Sequence, residues 1–186
     1  MVRLFFALDI EKPDQIVIAK WREQVLNLPF KKIPRQNFHI TLAFLGSISN
    51  TDRQALIDKA NTYMSECYQL NSVKRPLNLH LDHTGWFRKP KVIYLANSII
   101  PVWLDKLANY LNVCASQLTI FQEERAYSPH ISLYRKATTS ADKFLHTTEQ
   151  RLRANITITI KSFSLYQSVS TPDGVQYIPI NQWRLS

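Results

Sequence analysis

Residues 38–45 of this 186-residue chain read Phe-His-Ile-Thr-Leu-Ala-Phe-Leu, and residues 129–134 repeat the pattern as Pro-His-Ile-Ser-Leu-Tyr. Both stretches are apolar and contain β-branched residues, which predicts two β-strands. Because side chains alternate between the faces of a strand, each histidine shares a face with the hydroxyl residue two positions later. The sequence therefore predicts that His39 and Thr41 face one cavity with His130 and Ser132, while the residues between them enter a core.

The elements around these two strands occur in the same order in both halves of the chain: strand, helix, His strand, helix, strand. This repeated order predicts an internal duplication. The predicted fold is α+β and bilobal, with duplicated βαβ-type units, two antiparallel-rich sheets flanking a central groove and helices outside, in a single two-lobed domain over residues 1–186. The first half predicts strands at 3–9, 38–45 and 77–82 and helices at 13–26 and 51–66; the second predicts strands at 91–96, 129–134, 155–168 and 176–180 and helices at 101–118 and 140–153.

Local signals support several of these boundaries. Pro13 lies in the first turn of its predicted helix, where the missing N–H costs nothing. Ser49 and Asp52 form a plausible cap pairing ahead of the helix at 51–66. Gly46 is expected to end the first His strand.

Composition and charge limit the protein's class. Hydrophobic residues make up 45% of the chain and the formal net charge is +9, which indicates a globular protein with an anionic partner, nucleic acid being the commonest. No apolar run is long enough to span a membrane, and the apolar start, soon ended by Asp9, predicts a strand and not a signal peptide. Cys67 and Cys114 show no disulfide framework spacing, so we expect reduced thiols and a cytoplasmic location. The sequence leaves the oligomeric state open, and a monomer is the default expectation.

Two imidazoles and two hydroxyls around one cavity indicate phosphate-ester chemistry. The imidazoles can move protons on and off the ester while the hydroxyls hold its oxygens. His80 and His83 are spaced like metal ligands, but strand alternation places them on opposite faces, so no zinc site is predicted. His146 lies in a polar predicted helix and is expected on the surface. The chain has no Walker loop, dinucleotide fingerprint or nucleophile elbow.

Residues 37–46 and 128–135 resemble the two motifs of the two-histidine phosphoesterase superfamily. Within it the chain is similar to the RNA 2′,3′-cyclic phosphodiesterases, also called 2′-5′ RNA ligases. The resemblance extends over nearly the whole chain, with Phe38 where the family usually has Leu and Ser132 where Thr is common. Further similar segments are residues 3–8, 85–87, 163–168 and 177–185.

This resemblance implies hydrolysis of RNA 2′,3′-cyclic phosphate ends to 2′-phosphate ends without metal or cofactor, with weak reversible 2′-5′ ligation. His39 is assigned as the proton donor to the leaving O3′ and His130 as the proton acceptor from water, although the sequence also allows the reverse order. Thr41 and Ser132 are expected to donate hydrogen bonds to the non-bridging oxygens.

Three further residues are substrate-binding candidates. Arg135 matches a basic position of the family's second motif and could neutralise the phosphate. It lies an odd number of residues from His130, so this role requires the strand to end or bulge near Tyr134. Phe44 and Trp86 are candidates for stacking on a base.

Three alternatives remain open from the sequence. The first is a non-enzymatic RNA-binding module, which the basic charge would suit. The second is a metal-dependent phosphoesterase, although the chain lacks the clustered Asp and His residues that such an enzyme needs. The third is a related phosphodiesterase that acts on another cyclic or 2′-5′ linked nucleotide. The expected partner is RNA with a 2′,3′-cyclic phosphate end, with no membrane and no obligate protein partner.

Overall fold

The computed structural model describes residues 2–69, 77–120, 126–138, 141, 153–172 and 174–185. The predicted helix at 140–153 lies almost entirely outside these residues, and so does His146. The helices are α1 Lys12–Val25, α2 Asn50–Gln69 and α3 Val102–Gln117, with a short 3₁₀ helix at Arg35–Asn37. The strands are β1 Val2–Asp9, β2 Lys31–Lys32, β3 His39–Ile48, β4 Leu77–Phe87, β5 Val92–Ala96, β6 His130–Arg135, β7 Arg153–Ile160, β8 Ser162–Thr171 and β9 Gly174–Arg184.

The described strands form one antiparallel sheet in the order β7-β4-β5-β6-β3-β1-β8-β9, with the short β2 paired to β6. This corrects the prediction of two separate sheets. The two His strands, β3 and β6, are central and pair with each other only at Ile40 and Ile131. Each also pairs with the strand that precedes it by one helix, β1 beside β3 and β5 beside β6. The motif strands therefore lie at the junction of the two halves of the sheet.

The predicted single strand at 155–168 is wrong, because it is divided into β7 and β8 at Lys161. Five strands separate β7 from β8 in the sheet order. In a flat sheet they would lie about 29 Å apart, yet a link of one residue allows only about 7 Å between the strand ends. The sheet must therefore curve back on itself, which produces a concave face. The apolar residues lie at even positions up to Ile160 and at odd positions from Phe163, and this change of phase marks the break in the sequence.

The helices bury apolar stripes against the sheet. In α3 the buried residues follow the predicted stripe, and Asn112 at its edge donates a hydrogen bond to the Leu42 carbonyl of β3 at 2.9 Å. Among the described residues no helix is both long and apolar enough to cross a membrane. Cys114 is a buried free thiol. The buried stripe of α3 consists of Leu104, Leu107, Ala108, Leu111, Cys114 and Ala115.

Two of the predicted local signals are confirmed and one is corrected. Pro13 lies in the first turn of α1. The Ser49 hydroxyl accepts a hydrogen bond from the Asp52 backbone N–H at 3.0 Å and donates one to its carboxylate at 2.7 Å. Gly46 does not end the strand, since β3 continues to Ile48. Instead it lies at a bulge against β1 with a φ of 66°, a left-handed conformation that favours glycine.

Buried polar contacts hold the segment that follows α1 against β6. The fully buried Tyr134 donates a hydrogen bond through its hydroxyl to the Leu26 carbonyl at 2.6 Å and accepts one from the Leu28 N–H at 3.3 Å. The Arg22 guanidinium donates to the carbonyls of Ile33 and Leu133. These contacts fix β6, and with it the second motif.

Replacing Tyr134 with Phe should lower the free energy of unfolding by about 1–3 kcal/mol, because two buried backbone groups lose their partner. Urea denaturation measures this change. Tyr110→Phe is a control, since the Tyr110 hydroxyl is partly exposed and donates to the Lys59 carbonyl at 3.1 Å; we expect it to cost less. Equal losses in the two variants would contradict the importance of the Tyr134 contacts.

Candidate active site

The two motif histidines are held in the same way. The Nδ1 of His39 lies 2.7 Å from the Asn37 carbonyl, and the Nδ1 of His130 lies 2.8 Å from the Ser128 carbonyl. Since a carbonyl can only accept, Nδ1 carries the proton in both rings and Nε2 is left for chemistry. Both rings are partly exposed, between buried neighbours on their strands.

The antiparallel pairing of β3 with β6 brings the two motifs together. The Ile40–Ile131 pair is the crossing point, and the register on either side of it sets His39 beside Ser132 and Thr41 beside His130. Thr41 and Ser132 are partly exposed, like the histidines. Each imidazole is therefore adjacent to the hydroxyl of the other motif.

The electrostatic surroundings favour the neutral form of both rings. Burial lowers the pKa of His39 to about 4, with the positive charges of His130 and Arg135 adding to the effect and the Asn37 carbonyl opposing it. Burial also lowers the pKa of His130, against the opposing effect of the Ser128 carbonyl. At pH 7 and without a bound anion, both imidazoles are therefore neutral.

A β-bulge returns Arg135 to the histidine face, as its predicted role requires. Tyr94 pairs with Ser132 and Ile93 with Tyr134, so Leu133 is the extra residue. The predicted irregularity near Tyr134 is confirmed. The Arg135 guanidinium donates a hydrogen bond to the Tyr177 hydroxyl of β9 at 2.7 Å.

Phe44 reaches the same face through a matching bulge in β3. Thr41 pairs with Ala7 and Ala43 with Phe6, which leaves Leu42 as the extra residue. Phe44 is 66% exposed, and its ring centroid lies 6.2 Å from that of Phe5. Phe44 and Arg135 thus occupy equivalent positions, each five residues after its histidine.

Aromatic rings that the sequence analysis missed surround both imidazoles. The His39 centroid lies 5.0 Å from that of Phe5 and 4.9 Å, edge-on, from that of Tyr177. The His130 centroid lies 4.9 Å from Phe87 and 5.4 Å from Tyr94. These rings displace water from the imidazoles, which is the burial that lowers their pKa values.

Trp86 is not on the histidine face, which corrects its proposed stacking role. It pairs with the fully buried Ile93 and packs against the core, whereas the adjacent Phe87 contacts His130. Gly85 shares the face of Phe87, and a Cβ there would lie 2.2 Å from the Tyr94 hydroxyl.

A buried carboxylate supports the His39 side of the site. Asp9 accepts hydrogen bonds from four side chains, and one donor, the Tyr166 hydroxyl, lies at 2.6 Å. The Tyr166 ring stacks on Phe5, which in turn contacts His39. Burial and the neighbouring Asp9 raise the pKa of Tyr166, so it remains a donor. The other three donors are Ser162, Ser164 and Gln182.

His80 and His83 make contacts outside the two motifs. His83 lies 2.7 Å from the Asp82 carboxylate through Nδ1, and His80 lies 3.3 Å from the Thr157 hydroxyl. In the part of the chain that the structure describes, no three His, Cys, Asp or Glu side chains are grouped so that they could hold a metal ion.

Comparisons with known proteins identify relatives of the whole chain. Residues 8–94 match the family model described as LigT like phosphoesterase. The chain is 29% identical to the RNA 2′,3′-cyclic phosphodiesterase of Escherichia coli (strain K12), covering 99% of this chain and 97% of that protein. It is 28% identical to the protein of the same name from Methanocaldococcus jannaschii, covering 98% and 100%. The crystal structure of E. coli LigT complexed with 3′-AMP superposes with a TM-score of 0.80, covering 100% of this chain and 98% of that one.

The environment of His39 predicts its titration. In the free protein we expect a pKa near 4 for His39, and a pKa below 6.5 for His130. Inorganic phosphate should raise both values, because an anion beside the rings stabilises imidazolium. NMR titration of the imidazole resonances measures this, with chloride at equal ionic strength as the control. A free-protein pKa of 6.5 or above for His39 would contradict its burial among the aromatic rings.

Proposed function

We propose that this chain is a LigT-like phosphoesterase that hydrolyses 2′,3′-cyclic phosphate ends of RNA to 2′-phosphate ends, as its similarity to that family supports. The proposal rests above all on two identically held imidazoles whose Nε2 atoms are left for proton transfer, each beside the hydroxyl of the other motif. The relatives named RNA 2′,3′-cyclic phosphodiesterase support this substrate class.

Opening a cyclic phosphodiester requires two proton transfers on opposite sides of phosphorus. Water attacks and loses a proton to the Nε2 of His130, while the Nε2 of His39 gives a proton to the departing O3′. The 2′-oxygen keeps the phosphate, and water supplies its new oxygen. Each positioned acid or base of this kind contributes about 10²–10⁴ in rate. Since the two rings perform both transfers, the proposed reaction is metal-independent.

The groups that hold the phosphate are Thr41, Ser132 and Arg135. The two hydroxyls donate to the non-bridging oxygens, whose negative charge increases during attack. Arg135 supplies a positive charge and is anchored by its hydrogen bond to Tyr177, which leaves its other N–H groups for the phosphate. Phe44, which is exposed and five residues from His39, offers a ring face to a base.

Substrate binding would allow His39 to take up from solvent the proton that it needs as an acid. In the free protein its pKa of about 4 leaves it neutral at pH 7. A bound phosphate places negative charge beside the ring and offsets Arg135, so the pKa of His39 rises in the complex. Acid catalysis is thereby coupled to occupation of the site by an anion.

Ligation would be the same ring opening with another nucleophile. A 2′-5′ phosphodiester forms when the 5′-hydroxyl of another RNA takes the place of water as the attacking group. His130 would remove the proton of that hydroxyl as it does from water. Because water is far more abundant, ligation would be the weaker activity.

The acid–base roles are tested with a short RNA that ends in a 2′,3′-cyclic phosphate, in excess EDTA. We expect the wild-type protein to form the 2′-phosphate, and His39→Ala and His130→Ala each to lower kcat by about 10²–10⁴. His80→Ala is the matched control, because His80 is exposed and contacts Thr157 outside the motifs; it should retain activity. End analysis of the product and single-turnover kinetics are the measurements.

Each alternative predicts a different result in the same assay. RNA binding without turnover in the wild-type protein would favour a binding module. Turnover abolished by EDTA and restored by a divalent cation would favour a metal-dependent phosphoesterase. Turnover of another cyclic or 2′-5′ linked nucleotide in preference to the RNA end would redirect the substrate assignment.

Tyr177→Phe tests whether the hydrogen bond to Arg135 contributes to catalysis. The substitution keeps the ring beside His39 but removes the hydroxyl. We expect kcat/KM to fall about two- to twelvefold, the equivalent of one hydrogen bond of about 0.5–1.5 kcal/mol. In an Arg135→Ala background the same substitution should have no further effect. An undiminished effect in that background would show that Tyr177 acts independently of Arg135.

A further inference from the structure

The positive charge of this protein is unevenly distributed along the chain. Residues 24–51, 83–104 and 126–138 contain no Asp or Glu. They carry much of the sheet around the two motifs, including β3, β5 and β6. Their basic residues are Lys31, Lys32, Arg35, Arg88, Lys89, Lys91, Arg135 and Lys136.

The fold brings three of these basic segments together at the end of β6. Lys31 pairs directly with Arg135, so the two side chains share a face. The Lys91 carbonyl accepts a hydrogen bond from the Ala137 N–H at 3.0 Å, which sets the β4–β5 turn beside Lys136. We call this surface the basic end, and it consists of the exposed residues Lys31, Arg88, Lys89, Lys91 and Lys136.

One carboxylate near the basic end, that of Glu23, is already engaged. Glu23 forms ion pairs with Lys32 and Arg22. Lys32 pairs with the buried Tyr134 and so faces away from Arg135. Lys31 instead lies opposite Arg135 in the β2–β6 pair, so two positive charges are adjacent there.

The basic end continues from the candidate active site. Arg135 is its innermost neighbour and lies close enough to His39 to lower the pKa of that ring. The ring of Phe87, next to Arg88, contacts His130. At about 3.3 Å per residue, the strand from His130 to Arg135 spans at most about 16 Å. That is the length of roughly four or five stacked nucleotides.

We propose that the basic end binds the phosphodiester groups of the RNA strand on the 5′ side of the cyclic phosphate. This inference rests on the proposed function and extends it to substrate length. A strand whose 3′ end lies between His39 and His130 must leave the groove, and the basic end offers it a row of cations. Phe44, which is the residue of the first motif equivalent to Arg135, carries no charge. The preferred substrate is therefore an oligonucleotide end and not a cyclic mononucleotide.

The experiment compares kcat/KM for a tetranucleotide and for a mononucleotide that carry the same 2′,3′-cyclic phosphate. The ratio of the two values reports contacts beyond the terminal nucleotide. We expect the tetranucleotide to be preferred. If two of its phosphates contact the basic end, raising the salt from 50 to 200 mM should lower the ratio about sevenfold, because each contact releases bound counterions. In the triple variant Lys31→Gln, Lys91→Gln and Lys136→Gln the ratio should fall at least fivefold and lose most of its salt dependence.

A second triple variant serves as the matched control. Lys12, Lys20 and Lys106 are exposed residues of α1 and α3, so their replacement by Gln removes the same charge from the helical surface. It should leave the ratio and its salt dependence unchanged. Circular dichroism checks that both variants are folded.

Three results would overturn the proposal. They are an equal fall of the ratio in both triple variants, no fall in either, and no preference of the wild-type protein for the tetranucleotide. If no cyclic phosphate is hydrolysed, the proposed function is wrong. The binding proposal is then tested separately, by fluorescence anisotropy of a labelled tetranucleotide that ends in a 2′-phosphate. Binding weakened only by the basic-end substitutions supports the proposal, and equal binding by all three proteins overturns it.

Discussion

The candidate site depends on one contact, the pairing of β3 with β6 at Ile40 and Ile131. Both side chains are fully buried, and this is the one register pair that joins β3 to β6. Because β-strands alternate, burying these isoleucines turns the flanking histidines and hydroxyls to the concave face. Hydrophobic burial therefore orients the polar groups, with no need for contacts between the catalytic candidates themselves.

Strong curvature of the sheet follows from the covalent link at Lys161, and it gives the histidines their low pKa values. Curvature lets Tyr177 of the outer strand β9 reach both His39 and Arg135. Aromatic rings then exclude water from both imidazoles, and Arg135 adds positive charge beside His39. A site built in this way holds neutral imidazoles until an anion enters. The same arrangement that disfavours a proton in the free protein thus makes protonation respond to the substrate.

The sequence predicted those features that depend on local pattern. Alternation identified the two motif strands, the apolar stripe identified α3, and the offset of Arg135 from His130 required the bulge that the structure contains at Leu133. It failed where distant segments decide the outcome. The Asp9 cluster joins residues about 150 positions apart in the chain. Trp86 and Phe87 are adjacent aromatic residues, and only the register against β5 distinguishes the core-facing ring from the groove-facing one.

The two motifs are alike in backbone and unlike in surroundings, and this difference is what acid–base chemistry needs. His39 pairs in register with Asp9, whereas His130 pairs with Ala96. The bulge after His39 presents Phe44, while the equivalent bulge after His130 presents Arg135. Two histidines in identical surroundings would share one pKa and one position relative to the phosphate. Unequal neighbours separate their proton affinities: in the free protein the pKa of His39 falls to about 4 and that of His130 falls less, so the proposed order requires the bound phosphate to raise the pKa of His39. The charged and apolar bulge residues also distinguish the two ends of the groove, and in the proposed complex this difference would set the direction of the RNA strand.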